Sequence, residues 1–444
     1  MITRIEISGF KTFDGFGVDL QPFTAIVGPN ASGKSNLFDA LRFLSLLAKY
    51  DIRHSMQGLR GEPEELFRIT PDGVSDTMSF GVEVLLHRAG TDAFGTSYEV
   101  PAQRLRYELE LGLLVGRDGA PRRVQVIREL CRPLAKKEDR ARQYLKSIPV
   151  NYTKVSPFIR LNETKDAIEV RQDGRQKHGR PVTLSLKEAS RTALSTISTA
   201  EFPHLYALRE ALANINFLEI NPQAARLAND RFEEPTLKPD ASNLAAVLAR
   251  LKEETRSEAR PDGVLSDIAA DLASLIPSVS QLESISDGAQ RQYAYGLRFT
   301  DELTFSSRVI SDGTLRLLAL LTLLNDPDRQ GTLCFEEPEN GVHEGRIPAL
   351  VQFLRQSAMV STDPEEPSFQ ILTATHSPKV MEDLKDTEIV AADAVASVSR
   401  SSPIKAVRTR MRTGVGVEGD LFDPELHLVR AEIENLLQKS EGAA

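Results

Sequence analysis

The chain has 444 residues, 41% hydrophobic and 26% charged, enough to bury a large core in two or three lobes and unlike a fibrous or low-complexity protein. Its formal net charge of −9 excludes a protein coated all over by nucleic acid, but not a local basic surface. The longest apolar stretch, Leu315 to Leu324, is broken by Arg316 and too short for a bilayer, and the opening MITRIEISGFKTF has no apolar signal core, so a cytoplasmic chain without membrane attachment is expected.

Residues 2–7 and 22–27 read as short strands, the second running into a glycine-rich turn and an apolar helix, Asn36 to Leu47. The turn, Gly28-Pro29-Asn30-Ala31-Ser32-Gly33-Lys34-Ser35, satisfies GxxxxGK[ST], which arises by chance in a chain this long about once in a hundred. Successive backbone N–H groups of such a loop cradle phosphate oxygens at a helix N-terminus, whose dipole favours the anion. Lys34 is expected to reach the β- and γ-phosphates of ATP, and the Ser35 hydroxyl to ligate Mg2+. Gly28 to Asn36 are the expected nucleotide-binding set.

Strands are expected next at 78–87, 104–115 and 122–131, the second alternating clearly enough to be half-buried and antiparallel. From 186 to 276 the chain reads as mostly helical, with a Pro261-Asp262-Gly263 turn between periodic segments around Leu248 and Leu272. No heptad run persists and no internal repeat is present. The two cysteines, Cys131 and Cys334, lack metal-ligand spacing, and Cys334 reads as a small core residue. A buried helix at 314–325, a strand at 331–335, a helix from about 345 and a strand at 369–373 follow. The tail from about 399 is basic and ends in an amphipathic helix near 425–438.

Three further segments carry chemistry. The run Thr332 to Glu337 is a strand ending in paired carboxylates, expected beside the P-loop strand. Glu336 would hold Mg2+ through water and Glu337 would orient or deprotonate the attacking water. Ser311-Asp312-Gly313 opens the apolar helix, either as a second phosphate-binding end or as a simple N-cap. His376 follows the strand Phe369 to Thr373, where a histidine either senses the γ-phosphate or is structural.

In this order and spacing, the segments resemble the ABC-type ATPases of the RecF, SMC and OLD-like group. IEISGFKTF and GPNASGKSN resemble its opening, SDGTLRLLALL its signature motif, EEPENGVH its Walker B and D-loop, and ATHSP its switch-histidine segment. The likeness covers roughly 1–47 and 305–380. It implies an α/β fold: a P-loop ABC-type ATPase head with an antiparallel β subdomain and a helical insertion. The head would comprise 1–131 and 290–398, the mostly helical region 132–289, and the tail 399–444. It further implies ATP hydrolysis in a homodimer, two heads sandwiching two nucleotides. Ser311 and Gly313 would contact the γ-phosphate held at Lys34 of the partner chain, Asn340 and Gly341 would lie at the seam, and His376 would be the switch histidine.

Departures from that pattern have physical consequences. Ala31 stands where glycine is usual, which is harmless if its φ is negative. Glu336 replaces the commoner aspartate and still reaches Mg2+ through water. Asp312 replaces a glycine and must turn away from phosphate, Glu344 stands where proline is frequent, and no Q-loop glutamine is assigned. About sixty-five residues follow ATHSP, too few for the Toprim nuclease of OLD proteins, so the effector is expected to be another protein. A DNA surface would draw on two basic stretches: Arg117, Arg122, Arg123, Arg128, Arg132, Lys136, Lys137, Arg140, Arg142 and Lys146, then Arg400, Lys405, Arg408, Arg410 and Arg412. Both read equally as solvated faces. The expected function is an ATP-driven switch acting on DNA or on a partner nuclease, in DNA repair or phage defence. The alternatives are a nucleotide-sensing scaffold with little turnover and a transporter's ATPase subunit.

Overall fold

The computed structural model describes residues 1–115, 121–146, 148–153, 155–174, 181–287, 291–300, 303–361, 363, 366, 368–398, 405–415 and 423–441. Phe23–Val27 is buried at all five positions, as a continuous apolar run in a doubly covered sheet should be. It lies inside a seven-stranded sheet ordered Ile215–Leu218, Gly331–Glu336, Phe369–Thr375, Phe23–Val27, Ile389–Val398, Lys405–Val415, His427–Val429. The first five of these strands are parallel, and Lys405–Val415 returns antiparallel. Side chains alternate between the faces of the sheet: Ile26 joins one core cluster, whereas Phe23, Ala25 and Val27 join the other.

The first cluster is shared with an eight-stranded antiparallel sheet, ordered Val182–Ser185, Ala167–Val170, Ile159–Asn162, Pro121–Pro133, Arg104–Val115, Thr77–Leu85, Ile2–Ser8, Phe16–Asp19. The second packs helices Leu244–Thr255, Leu265–Leu275, Asp312–Leu324 and Ile347–Ser357 against the other face. This is the α/β head with an antiparallel β subdomain that the sequence implies. Both Cys131 and Cys334 are free and buried, and among the described residues no helix is long and apolar enough to cross a membrane.

Three expectations are corrected here. The strand bearing the paired carboxylates is not beside the P-loop strand, because Phe369–Thr375 lies between them. Among its described residues, the region 132–289 holds four α-helices but also the strands Ile159–Asn162, Ala167–Val170 and Val182–Ser185, which extend the antiparallel sheet. These strands are four residues each, too short for a period of two to stand out. The basic start of the tail is a strand of the central sheet, in which Thr409 and Met411 are buried while the intervening arginines are half-buried.

Buried polar side chains lock the two sheets together. Gln370 is fully buried, donates to the carbonyls of Ile2 (2.7 Å) and Gln21 (3.0 Å), and accepts from Ile2 N and Thr332 Oγ1. Two strands along the antiparallel sheet from Ile2–Ser8, Arg104 donates to both carboxylate oxygens of Asp139 at 2.8 Å and to Thr3 Oγ1, with the Arg104 and Asp139 side chains fully enclosed. Such groups tolerate burial only when paired, so they fix the register of the surrounding backbone.

Candidate active site

The C-terminal ends of three parallel strands stop at one level, since Glu336 aligns with Ala374, Ala374 with Ile26, and Thr375 with Val27. Ligands of open α/β sheets bind beyond such strand ends. Gly28 N donates to Thr375 O, and Glu337 N to Ala374 O at 2.8 Å, so the phosphate loop, the carboxylate pair and the histidine segment are joined by backbone.

The loop Gly28–Ser35 opens helix Lys34–Leu47, whose N-terminus carries no side-chain cap. Its glycines are required by space. A Cβ on Gly28 would lie 2.3 Å from Ala392 O, and one on Gly33 (φ +94°) would lie 1.9 Å from Thr409 Oγ1. Beneath the loop, Asn36 Nδ2 donates to Thr12 Oγ1 (2.8 Å), which lies 2.6 Å from Thr409 Oγ1. Asn36 therefore braces the loop against the tail strand. Ser32 Oγ is buried with no partner, an orphan that a phosphate oxygen would satisfy. The Lys34 ammonium donates to Gly28 O (2.7 Å) and Pro29 O (2.8 Å). Burial pulls Lys34 below the usual lysine value, while Glu337, Glu336 and Glu339 pull it back up.

Ala31 has φ +61°, so the condition under which an alanine there was harmless is not met. A Cβ in the left-handed region is strained. Ala31→Gly is accordingly expected to raise stability by about 0.5–1 kcal/mol, read by denaturant titration; an unchanged midpoint would mean that the loop absorbs the strain.

Glu336 is exposed at its strand end, and Ser35 is half-buried at the helix start. These are hard oxygen donors of the kind Mg2+ takes alongside phosphate and water. Among the described residues no cluster of three His, Cys, Asp or Glu could hold a metal by itself. Glu337 adopts φ +51°, a strained angle for a non-glycine residue. Its Oε1 lies 3.1 Å from His376 Nδ1, and its Oε2 accepts from Asn340 Nδ2 at 2.7 Å. A carboxylate held by an imidazole and an amide can orient a water for in-line attack.

Sequence reasoning passed over Glu339. Its Oε1 accepts from Thr375 Oγ1 at 2.5 Å, its Oε2 is buried without a partner, and burial raises its carboxyl above the usual range. The signal was the third acid in EEPE.

Ser311 and Gly313 sit at the start of helix Asp312–Leu324. Ser311 is its N-cap, accepting from Thr314 N at 3.2 Å, so within one chain the capping reading holds. Gly313 lies against Gly341: a Cβ on Gly341 (φ +91°) would come within 2.4 Å of Gly313 Cα. Asp312 is paired with Arg226, at 2.5 Å.

The basic stretches divide. Arg123, Arg128 and Arg132 face Glu188, Glu108 and Glu138, and Arg410 and Arg412 share Asp393. Lys136, Lys137, Arg142 and Lys146 are exposed with no ion pair among the described residues, and Arg140 reaches only Asp19, at 3.8 Å. Arg408 is half-buried. Arg117 and Arg400, and the side chains of Arg122 and Lys405, lie outside the described residues.

A family model described as "AAA domain, putative AbiEii toxin, Type IV TA system" matches residues 23–382. The chain is similar to the chromosome partition protein Smc of Methanocaldococcus jannaschii, 50% identical over 44 residues, which are 10% of this chain and 4% of that protein. It is also similar to structural maintenance of chromosomes protein 1 of Arabidopsis thaliana, 32% identical over 115 residues, 22% of this chain and 9% of that one. The chain thus matches under a tenth of the length of either relative. The crystal structure of an Smc head bound to the C-winged helix domain of ScpA superposes with a TM-score of 0.50 at 14% identity, over 93% of this chain and 97% of that one. That likeness is one of fold.

Proposed function

The chain belongs to this AAA-domain family and is an SMC-like P-loop ATPase head, and from that premise we propose that it is a dimeric switch that binds ATP with Mg2+, hydrolyses it, and acts on DNA or on a partner effector. The observation that carries this reading is the meeting of the phosphate loop, the carboxylate pair and the histidine segment at one level of the sheet, joined through Thr375 and Ala374, with Glu337 held by His376 at 3.1 Å. Paired carboxylates, an imidazole and a phosphate loop meeting at strand ends are what hydrolysis of a phosphoanhydride requires.

In this mechanism Lys34 leaves the carbonyls of Gly28 and Pro29 for the β- and γ-phosphates, and Ser32 Oγ gains its missing partner. Ser35 and Glu336 would hold Mg2+, which supplies charge neutralisation at the phosphates when bound. Glu337 takes a proton from the attacking water, while His376 steadies Glu337 and faces the γ-phosphate. A second copy completes the site with Ser311 and Gly313, giving up the Ser311 cap for a phosphate contact. Closure on ATP and opening after hydrolysis are the output. The family's description names a putative toxin of a Type IV TA system, which suits a chain that works with a second protein, and attachment of a partner fits the Smc head crystallised with ScpA.

Contact with DNA is supported by the exposed loop 136–146, five basic residues against two acidic ones. The loop is pinned by Asp139 and by Tyr144, whose hydroxyl donates to Leu20 O at 2.7 Å, so its charges keep a fixed spacing. Reversing Lys136, Lys137 and Arg142 to glutamate is expected to cut affinity for a short duplex at least tenfold at low salt and to flatten the salt dependence by about three contacts. Phosphate release, measured in the same samples, is expected from wild type and to be lost in Lys34→Ala. ATP binding without turnover in wild type would favour the scaffold reading, and equal duplex affinity for both proteins would leave the effector as the target.

A further inference from the structure

The signature segment carries an acid where the related pattern carries glycine, and its charge is answered in a specific way. Asp312 is largely exposed, 69% by side chain, and its one ion pair among the described residues is with Arg226. Arg226 Nη2 donates both to Asp312 Oδ1 (2.5 Å) and to Ile310 O (2.8 Å), bracketing Ser311 on either side. Its own backbone is fixed in turn: Ser307 Oγ donates to Arg226 O (2.7 Å), and the buried Tyr295 hydroxyl to Ala225 O (2.8 Å). Arg316, one turn along the helix, makes no ion pair with Asp312.

We propose that Arg226 is a charge-compensating positioning residue, which turns Asp312 aside and neutralises it so that Ser311 and Gly313 can approach the γ-phosphate held by a second copy. The inference rests on the shared-site reading above. Within one chain, a pair this exposed contributes little to stability. Its weight comes on closure, when water leaves and a bare carboxylate would face a triphosphate at short range in a medium of low effective dielectric. A guanidinium suits this role because it has five donors in a planar fork. It binds Ile310 O and Asp312 through Nη2 and keeps others free for the incoming anion. Lysine, with a single nitrogen, would hold only part of this arrangement.

The test is ATP-dependent dimerisation, followed by light scattering in a Glu337→Gln background that holds the closed state. Arg226→Ala is expected to weaken dimerisation about a hundredfold, roughly 2.7 kcal/mol at 1.36 per decade. Adding Asp312→Asn should restore it to within about threefold, and Arg226→Lys should fall between. A fluorescent ATP analogue should bind monomeric Arg226→Ala as it binds the parent, because each chain's own Lys34 site is untouched. The proposal is overturned if Arg226→Ala dimerises like the parent, if Asp312→Asn fails to rescue it, or if Asp312→Asn alone blocks closure. A Glu337→Gln parent that stays monomeric at saturating ATP would instead sink the shared-site reading, and the role of Arg226 with it.

Discussion

Replacing Glu337 with glutamine is expected to slow phosphate release by about 10²–10⁴-fold, the usual weight of a general base, while ATP still binds. The substitution keeps the shape of the side chain and its contact with Asn340, but removes the carboxylate 3.1 Å from His376 Nδ1 that can take a proton. With hydrolysis stalled, the closed state should accumulate, so molecular mass should rise with ATP in the variant more than in wild type. Light scattering and phosphate release in the same samples check both points. A variant that turns over at the wild-type rate without change of mass would remove Glu337 as base and the shared site together.

Gly341→Ala has the second large effect. At φ +91° an alanine is strained by about 1–3 kcal/mol. Its methyl, moreover, would meet the Gly313 backbone at 2.4 Å, and backbone cannot rotate aside as a side chain can. The variant should lose about 2–4 kcal/mol of stability in denaturant titration. What fold it retains should have the Walker B loop pushed off the signature helix and turn over ATP poorly. Gly345→Ala is the control, since its nearest neighbour would be His343 Nδ1, at an ordinary 3.5 Å. Equal melting of the two variants would show that the glycine-to-glycine contact is dispensable.

What could be read from the sequence was local. The run Phe23 to Ser35 couples a five-residue apolar strand to a fixed-spacing motif, and the apolar runs at 331–335 and 369–373 are buried strands ending in their polar groups. Strand order was not local: nothing in residues 331–336 says that another strand intervenes before Phe23–Val27. The tail misled because its charges drew attention first. In VRTRMRT the arginines occupy every second position, and Thr409 and Met411 between them face inward, a period of two that marks a strand. Thr409 beneath Gly33 and Arg226 beside Asp312 are invisible to any pattern, since each meets its partner across scores of residues. Asp312 was legible only as an acid that must turn away from phosphate; the arginine that answers its charge was not.

The enclosed side chains that lock the sheets have a mechanical consequence. Gln370 lies on the strand that leads to His376 and holds Ile2; the next residue, Thr3, receives Arg104, and Arg104 grips Asp139 in the basic loop. Every joint in that series is buried, and no hinge interrupts it. The loop is therefore a fixed arm of the sheet that bears the nucleotide and cannot swing on its own. In a pair of heads, the separation of the two arms would change only as the heads themselves rotate, like the points of a caliper. A duplex long enough to touch both arms would then feel ATP turnover as a change of span, whereas one touching a single arm would not register it.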